Sequence, residues 1–225
     1  MIRNLILIFS TTVLAQAQTA PPARPEFGQG LKENAEKLQQ YSYKRRLEIT
    51  VKGRSSQRLE LVRYVDGKME TVPLEAPQRA GGQSQGRGLR GMIMRKEVEK
   101  KKEEMKKEVE QLRGLLKQYT PGSPSMRAAL EKANISHEDR ELKVEANGVV
   151  QPSDSFTLIW NTANRRPERL EIHTALDKKP VQMTIEYASL PDGPFYPART
   201  TLTATAKDLT VSIDTFEYSR STNGN

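Results

Sequence analysis

Apolar and polar residues alternate with a period of two over most of the chain, on both sides of a polar middle segment. In the first run, Tyr43, Leu47 and Ile49 alternate with charged residues, which is typical of a strand with one buried face. Asp66-Gly67 separates the second and third runs and predicts a two-residue hairpin, because both residues tolerate positive φ. The chain up to residue 74 therefore predicts three sequential antiparallel strands.

The alternation returns after residue 140 and continues close to the C-terminus. It predicts six further strands, whose apolar positions run through Leu142–Ala146, Phe156–Trp160, Leu170–Leu176, Val181–Tyr187, Leu202–Ala206 and Leu209–Ile213. In the last strand Phe216 and Tyr218 shift the parity, which indicates a β-bulge near Asp214.

Two short amphipathic helices are predicted before and after the polar middle. The first covers residues 31–40, where Leu31 and Leu38 share one face. The second covers residues 125–133 and follows a Ser-Pro capping pair. Each has one apolar face that must be buried against another element.

The polar middle, residues 75–137, is predicted to form an arch between the third and fourth strands. Its first part, residues 77–91, is rich in Gly and Arg and predicts a flexible basic loop. Residues 92–119 are rich in Lys and Glu and predict a long helix with one thin apolar stripe through Val98 and Leu112. We expect a solvated helix lying along the sheet; a coiled-coil partner helix and a membrane-surface helix are the alternatives.

Together these elements predict an α+β fold. An antiparallel sheet with one apolar face must cover that face, and only the predicted helices are available to do so. We therefore expect one domain over residues 31–218, a strongly curved, half-open β-barrel of about nine strands covered by a few helices, including the long Lys/Glu-rich one. Such a shape leaves an apolar hollow between sheet and helices, and residues 219–225 are expected to be a disordered tail.

The first 17 residues have the pattern of a signal peptide. Arg3 supplies a positive charge, residues 5–14 an apolar core too short to span a membrane, and Ala15-Gln16-Ala17 a cleavage site of small residues. Residues 18–30 then predict a flexible leader. We expect a periplasmic or secreted protein, and because the chain has no cysteine it has neither a disulfide nor a lipobox.

The chain is basic, with 36 Lys and Arg against 28 Asp and Glu and a formal net charge of +8. This charge favours anionic surfaces such as lipid head groups. Basic and acidic residues are interspersed and no nucleic-acid-binding motif occurs, so nucleic acid is not the expected partner.

The sequence contains no constellation of catalytic or metal-binding residues. His137 and His173 are the two histidines, and without cysteines they lack the clustered ligands of a metal site. Ser136, His137 and Asp139 are too close in sequence to reach the geometry of a catalytic triad without strain, and no GxSxG motif occurs. The glycines of residues 81–91 lack the GK[ST] ending of a phosphate loop. We therefore expect a protein that is not an enzyme and needs no cofactor.

Two stretches resemble periplasmic lipoprotein-carrier proteins of the LolA/LolB-like half-barrel superfamily. The first is LKENAEKLQQYSY at residues 31–43, which leads straight into a strand. The second is IEYASLPDGPFYPAR at residues 185–199, followed by a strand that ends in DTFEY at residues 214–218. More narrowly, the chain resembles uncharacterised secreted proteins of soil bacteria. The length and charge of its arch depart from the usual carriers.

The resemblance implies a non-enzymatic protein that shelters lipid or lipoprotein acyl chains in the hollow. The residues expected to line the hollow are Tyr43, Leu47, Ile49, Leu59, Leu61, Leu158, Trp160, Ile172, Met183 and Ile185. The same positions also fit an ordinary packed core. By its position in the pattern, Arg45 corresponds to the arginine that latches the helical lid in such carriers.

The alternative is an envelope interaction protein with a filled core. Such a protein would dock to an anionic membrane surface or an envelope protein through its basic arch. The expected contacts are Arg87, Arg90, Arg95 and Lys96. An open apolar cavity favours the carrier, and a filled core favours the docking protein.

Overall fold

The structure is a computed structural model that describes residues 27–74, 78–79, 107, 110–112, 114–115, 117–119, 123–191 and 193–221. The predicted signal peptide and most of the leader lie outside these residues. No helix in the described part of the chain is long and apolar enough to cross a membrane.

The described strands form one antiparallel sheet. They are β1 (Tyr41–Val51), β2 (Arg54–Val65), β3 (Lys68–Pro73), β4 (Gln78–Arg79), β5 (Asn134–Glu138), β6 (Glu141–Asn147), β7 (Ser155–Asn161), β8 (Arg166–Leu176), β9 (Lys179–Ser189), β10 (Phe195–Ala204) and β11 (Leu209–Arg220). A 3-10 turn at Thr205–Lys207 joins the last two.

The strand order is β3-β2-β1-β11-β10-β9-β8-β7-β6-β5, and the short β4 also pairs with β2. In this order every pair of neighbours is sequential except β1 and β11, which pair with each other in the middle of the sheet. The sheet is curved, and β3 and β5 end the order without closing it into a barrel. The predicted antiparallel, unclosed sheet is confirmed.

Two strands, β4 and β5, were not among the nine predicted ones. β5 is an edge strand with the sequence NISHE, which has a single apolar residue and therefore no alternation to detect. It pairs with β6 and extends the sheet into the segment predicted as part of the arch.

Two complete helices are short. α1 (Phe27–Leu38) begins four residues before the predicted start. The sequence pattern missed its first turn because Gly28 and Gly30 are poor helix formers. Asn34 fixes α1 to β10 by donating to the carbonyl of Phe195 (2.8 Å) and accepting its N–H (2.9 Å). α2 (Pro124–Glu131) has the predicted Ser-Pro cap: the Ser123 hydroxyl accepts the N–H of Met126.

The long Lys/Glu-rich helix is not established over its predicted length. Positions 107, 110–112, 114, 115 and 117 are helical, and we call them the middle helix. The remainder of the predicted helix lies outside the described residues. The middle helix and the turn after it bury Leu112, Leu115 and Tyr119, which are three and four residues apart and share one face.

The two faces of the sheet differ in burial. Residues directly opposite each other in antiparallel strands lie on the same face, so the pairing traces rows of side chains across the sheet. One row on the buried face, here called the core face, is Val144, Leu158, Leu170, Ile185, Thr200, Ile213, Leu47 and Arg58. We call the opposite side the outer face.

Helices cover the core face over β6 to β9. Leu115, Tyr119, Met126 and Ala129 pack there in a cluster with the buried side chains of these strands. Leu112 belongs to a second, smaller cluster with Val181, Leu202, Ala204 and Leu209. The core of the described chain is therefore concentrated on one half of the sheet.

A buried polar group fixes the end of the middle helix. The Tyr119 hydroxyl donates to Asp154 Oδ2 (2.5 Å) and lies 2.8 Å from Thr174 Oγ1. Burial and the hydrogen bond with Asp154 raise the pKa of Tyr119. Asp154 Oδ2 also accepts the N–H groups of Val150 and Gln151. One carboxylate oxygen thus ties the helix end to a turn, and the Tyr119 hydroxyl ties the helix end to β8 through Thr174.

β3 is exposed along its whole length at one edge of the sheet. Just after it, Leu74 donates its N–H to the carbonyl of Leu59 on β2 (2.9 Å). Because hydrogen-bonding directions alternate along a strand, the N–H groups of Met69 and Thr71 point away from β2. Pro73 has no N–H.

Candidate functional site

The row through Leu158 and Leu47 changes from buried to exposed as it crosses the sheet. Val144, Leu158 and Leu170 at one end are buried, the side chains from Ile185 onward are half-buried, and Arg58 at the other end is exposed. The next row behaves similarly, from buried Ile172 to half-buried residues on β11 and β1. The half-buried apolar side chains of β1 and β11 form what we call the apolar stripe, consisting of Leu47, Ile49, Val211 and Ile213.

A cluster of three charged side chains adjoins the apolar stripe. Glu60 on β2 lies opposite Arg45 on β1 and is almost completely buried, with 5% of its side chain exposed. Its Oε2 accepts from Arg45 Nη2 (2.6 Å) and Nε (3.0 Å), and its Oε1 accepts from Arg58 Nη1 (3.2 Å). Arg58 lies opposite Leu47, so this charge cluster touches the stripe directly.

The carboxyl group of Glu60 is held ionised by its two partners. Burial alone would raise its pKa, but the hydrogen bonds and positive charges of Arg45 and Arg58 outweigh burial and lower it. The cluster therefore contains one negative and two positive charges.

Three tyrosines continue the core face beyond Arg45. The rings of Tyr43 and Tyr218 are stacked with their centroids 4.7 Å apart, and the ring centroids of Tyr196 and Tyr218 are 4.2 Å apart. The Tyr218 hydroxyl donates to Thr215 Oγ1 (3.1 Å). Burial raises the pKa of both Tyr43 and Tyr218, so their hydroxyls remain protonated at neutral pH.

A β-bulge at the end of β11 puts Tyr218 in this group. Glu217 has a φ of 53°, and the register with β1 shifts after Phe216. Phe216 therefore lies on the outer face, where the Arg46 guanidinium is 5.1 Å from its ring centroid. The sequence predicted a parity shift near Asp214; the structure has it three residues later.

The predicted lining residues do not form one group. Leu158, Trp160, Ile172 and Met183 are buried in the large cluster beneath the helices, and Ile185 packs against it. Half-buried Tyr43, Leu47 and Ile49 lie on the same face but on the other half of the sheet. The first set is packed in the large cluster, whereas Tyr43 and Leu47 border the charge cluster and Ile49 packs against the second cluster, which contains Leu112 and Leu202.

Leu59 and Leu61 lie on the outer face, opposite Arg46 and Lys44, and are separated from the apolar stripe by the sheet itself. The prediction that they share a face with Leu47 is wrong. The cause is the turn: Lys52-Gly53 forms a two-residue loop with φ values of 50° and 72°, which pairs Leu47 with Arg58.

Of the basic residues predicted as contacts, the structure describes only Arg45. Arg45 is paired with Glu60, and the described residues show no contact of Arg45 with a helix. Arg87, Arg90, Arg95 and Lys96 lie outside the described residues. A separate surface hollow at the β5–β6 turn is lined by Glu138, Asp139, Arg140 and Glu141 and contains none of the predicted lining residues.

Sequence reasoning missed Arg58, Glu60 and Tyr196 as neighbours of the stripe, as well as its members on β11. Reading Lys52-Gly53 as a two-residue turn would have found Arg58 and Glu60, because the turn fixes which residues of β2 share a face with Leu47. Chemically, the arrangement combines half-buried apolar side chains with arginines. Among the described residues, no three metal-ligating side chains come together.

Comparison with known proteins gives structural likeness only. No family model and no curated protein matches the sequence. A domain from Vibrio parahaemolyticus, described as a candidate outer membrane lipoprotein-sorting protein, aligns over 88% of this chain and 93% of its own with 11% identity and a TM-score of 0.44.

Two further solved structures align at comparable coverage. A LolA superfamily protein from Nitrosomonas europaea covers 85% of this chain and 92% of its own, with 12% identity and a TM-score of 0.33. A DUF1329 family protein from Desulfovibrio piger covers 88% and 93%, with 9% identity and a TM-score of 0.35.

Proposed function

We propose that this protein is an exported, non-enzymatic protein of the periplasm or the extracellular space that binds the acyl chain of a lipid or lipoprotein. The binding surface is the apolar stripe of β1 and β11. The observation that carries the proposal is the loss of cover along a single row of side chains, from buried Leu158 to half-buried Leu47.

The stripe is a better site than the packed half of the sheet. A ligand at Leu158, Ile172 or Met183 would have to displace side chains that already fill the space, such as Tyr119 and Met126. A ligand on the stripe removes apolar surface from water without that cost, and each square ångström buried stabilises the complex by about 25 cal/mol.

Binding is tested by calorimetric titration with two ligands that share one acyl chain, uncharged monolaurin and laurate. Ile213→Glu places a charge in the stripe. We expect it to weaken the binding of both ligands about tenfold or more, which corresponds to a loss of about 1.4 kcal/mol of binding free energy. Thr201→Glu is the matched control, because Thr201 is half-buried on the outer face of β10, opposite Thr184 and Ser212.

Circular dichroism establishes that each variant is folded, and Leu47→Ser replaces Ile213→Glu if the latter unfolds. The proposal is contradicted if neither ligand binds the intact chain, or if a folded stripe variant binds as tightly as the control.

A further inference from the structure

We propose that the ligand carries an anionic head group, a carboxylate or a phosphate, which binds Arg58 and Arg45 beside the apolar stripe. This inference rests on the proposed function and specifies the chemical class of the ligand. Charge is distributed unequally between the two faces of β1, β2, β3 and β11.

The outer face of these four strands is balanced. It carries four basic residues and four acidic ones, several of them in ion pairs such as Arg63 with Glu70 and Lys44 with Glu217. The complete set is Lys44, Arg46, Arg63 and Lys68 against Glu48, Glu70, Asp214 and Glu217.

The core face of the same strands has an excess of positive charge. Its basic residues are Arg45, Arg54, Arg58 and Arg220, and its one acidic residue is Glu60. A face that borders half-buried leucine and isoleucine side chains would ordinarily carry few charges of either sign. Here it carries Arg45 and Arg58, which share the single carboxylate of Glu60.

The hydrogen bonds of Glu60 leave donors available. Both carboxylate oxygens of Glu60 are used by Arg45 and Arg58. In the contacts between described residues, Arg58 uses only Nη1, and 52% of its side chain is exposed. The guanidinium group binds carboxylate and phosphate oxygens in pairs, so its remaining donors match an anionic head group.

The geometry joins the two parts of an amphiphile. Arg58 and Leu47 are directly opposite each other on neighbouring strands, which lie about 5 Å apart. From Leu47 the core face continues along β1 through Ile49 to Val51, about 13 Å away at 3.3 Å per residue. Ile49 and Val51 pack against the second cluster, so the stripe is least covered at Leu47 and Ile213. A head group at Arg58 therefore places the start of its chain on Leu47 and Ile213, which follow Arg58 in the same row, and Arg54 lies further along β2, opposite Val51.

The test compares three ligands with the same acyl length: laurate, lauryl phosphate and monolaurin. We expect the intact chain to bind at least one of the two anions about tenfold more tightly than monolaurin. The preferred anion identifies the head group as a carboxylate or a phosphate. We expect Arg58→Gln to remove most of this preference, measured as the ratio of the affinities for the anion and for monolaurin.

Arg63→Gln is the matched control, because Arg63 is a half-exposed arginine of the same strand on the outer face, paired with Glu70. Arg54→Gln is a second variant. It removes another arginine from the core face of β2 while Arg45 and Arg58 remain paired with Glu60. Equal affinity for monolaurin and both anions would overturn the inference while leaving the proposed function intact. Failure of all three ligands to bind would overturn both.

Discussion

The two halves of the sheet carry the same kind of side chain on the core face but differ in what covers it. Leu158 on β7 and Leu47 on β1 belong to one row, yet Leu158 is buried beneath helical residues and Leu47 is only half-buried. Alternation of apolar residues therefore identifies which face of a strand is apolar. It does not tell whether protein or ligand occupies the space above that face.

The halves also differ in their polar groups. The packed half contains the Tyr119–Asp154 hydrogen bond, which fastens a helix to the sheet. The other half contains Glu60 with two arginines, and one of these is largely exposed. Polar groups in the first half serve packing, while in the second half Arg58 remains accessible from solvent beside the buried Glu60.

The strongest test of the comparison truncates one apolar side chain in each half. Ile172 is completely buried, so Ile172→Ala is expected to lower the free energy of unfolding by about 2–5 kcal/mol. Leu47→Ala removes a half-buried side chain, and we expect a loss of about 1 kcal/mol. Urea unfolding of both variants measures the difference, and equal losses would show that the stripe is as well packed as the core.

A smaller effect is expected from removing one hydroxyl in each half. Tyr119→Phe takes a buried donor from Asp154 and should lower the free energy of unfolding by about 1–3 kcal/mol. Tyr218→Phe loses a bond between neutral hydroxyls and should cost no more than about 1 kcal/mol. Thermal and urea unfolding provide the measurement; a larger loss for Tyr218→Phe would reverse the assignment of the two halves.

The smallest effect is expected in the pH dependence of stability. The pKa of Glu60 is lowered below its ordinary value of 4.5 in the folded chain, so its ionised form stabilises the fold above that value. This contribution is lost as the pH falls through the lower, folded pKa.

The stability difference between the intact chain and Glu60→Gln should therefore shrink on acidification. Glu70→Gln is the control, because Glu70 lies in an exposed pair on the outer face and should show little change. A difference for Glu60→Gln that stays constant from neutral to acid pH would mean that Arg45 and Arg58 do not hold this carboxyl ionised.

Much of the fold could be predicted because alternation is a local signal. The long strands β6 to β11 and the hairpin at Asp66-Gly67 follow directly from it. β5 was not predicted, because an edge strand with little burial does not require apolar residues at alternate positions. The predicted start of α1 is four residues too far along the chain, because glycines in its first turn interrupt the helical pattern.

The candidate site was harder to predict because it depends on register. Leu59 and Leu61 look like partners of Leu47 in the sequence, and a change of one residue in the turn would make them so. The Glu60 carboxylate lies between these two leucines and faces the opposite way. Its pairing with Arg45 and Arg58 becomes visible only when the length of the Lys52-Gly53 loop is known.

The edge at β3 limits how far another chain could extend the sheet. An incoming strand needs outward N–H groups at every second residue, and β3 offers those of Met69 and Thr71 before Pro73 ends the series. Lys68 and Glu70 add charges that an apolar strand would have to accommodate. Fibrous growth from this edge is therefore unfavourable, even though the strand is fully exposed to solvent.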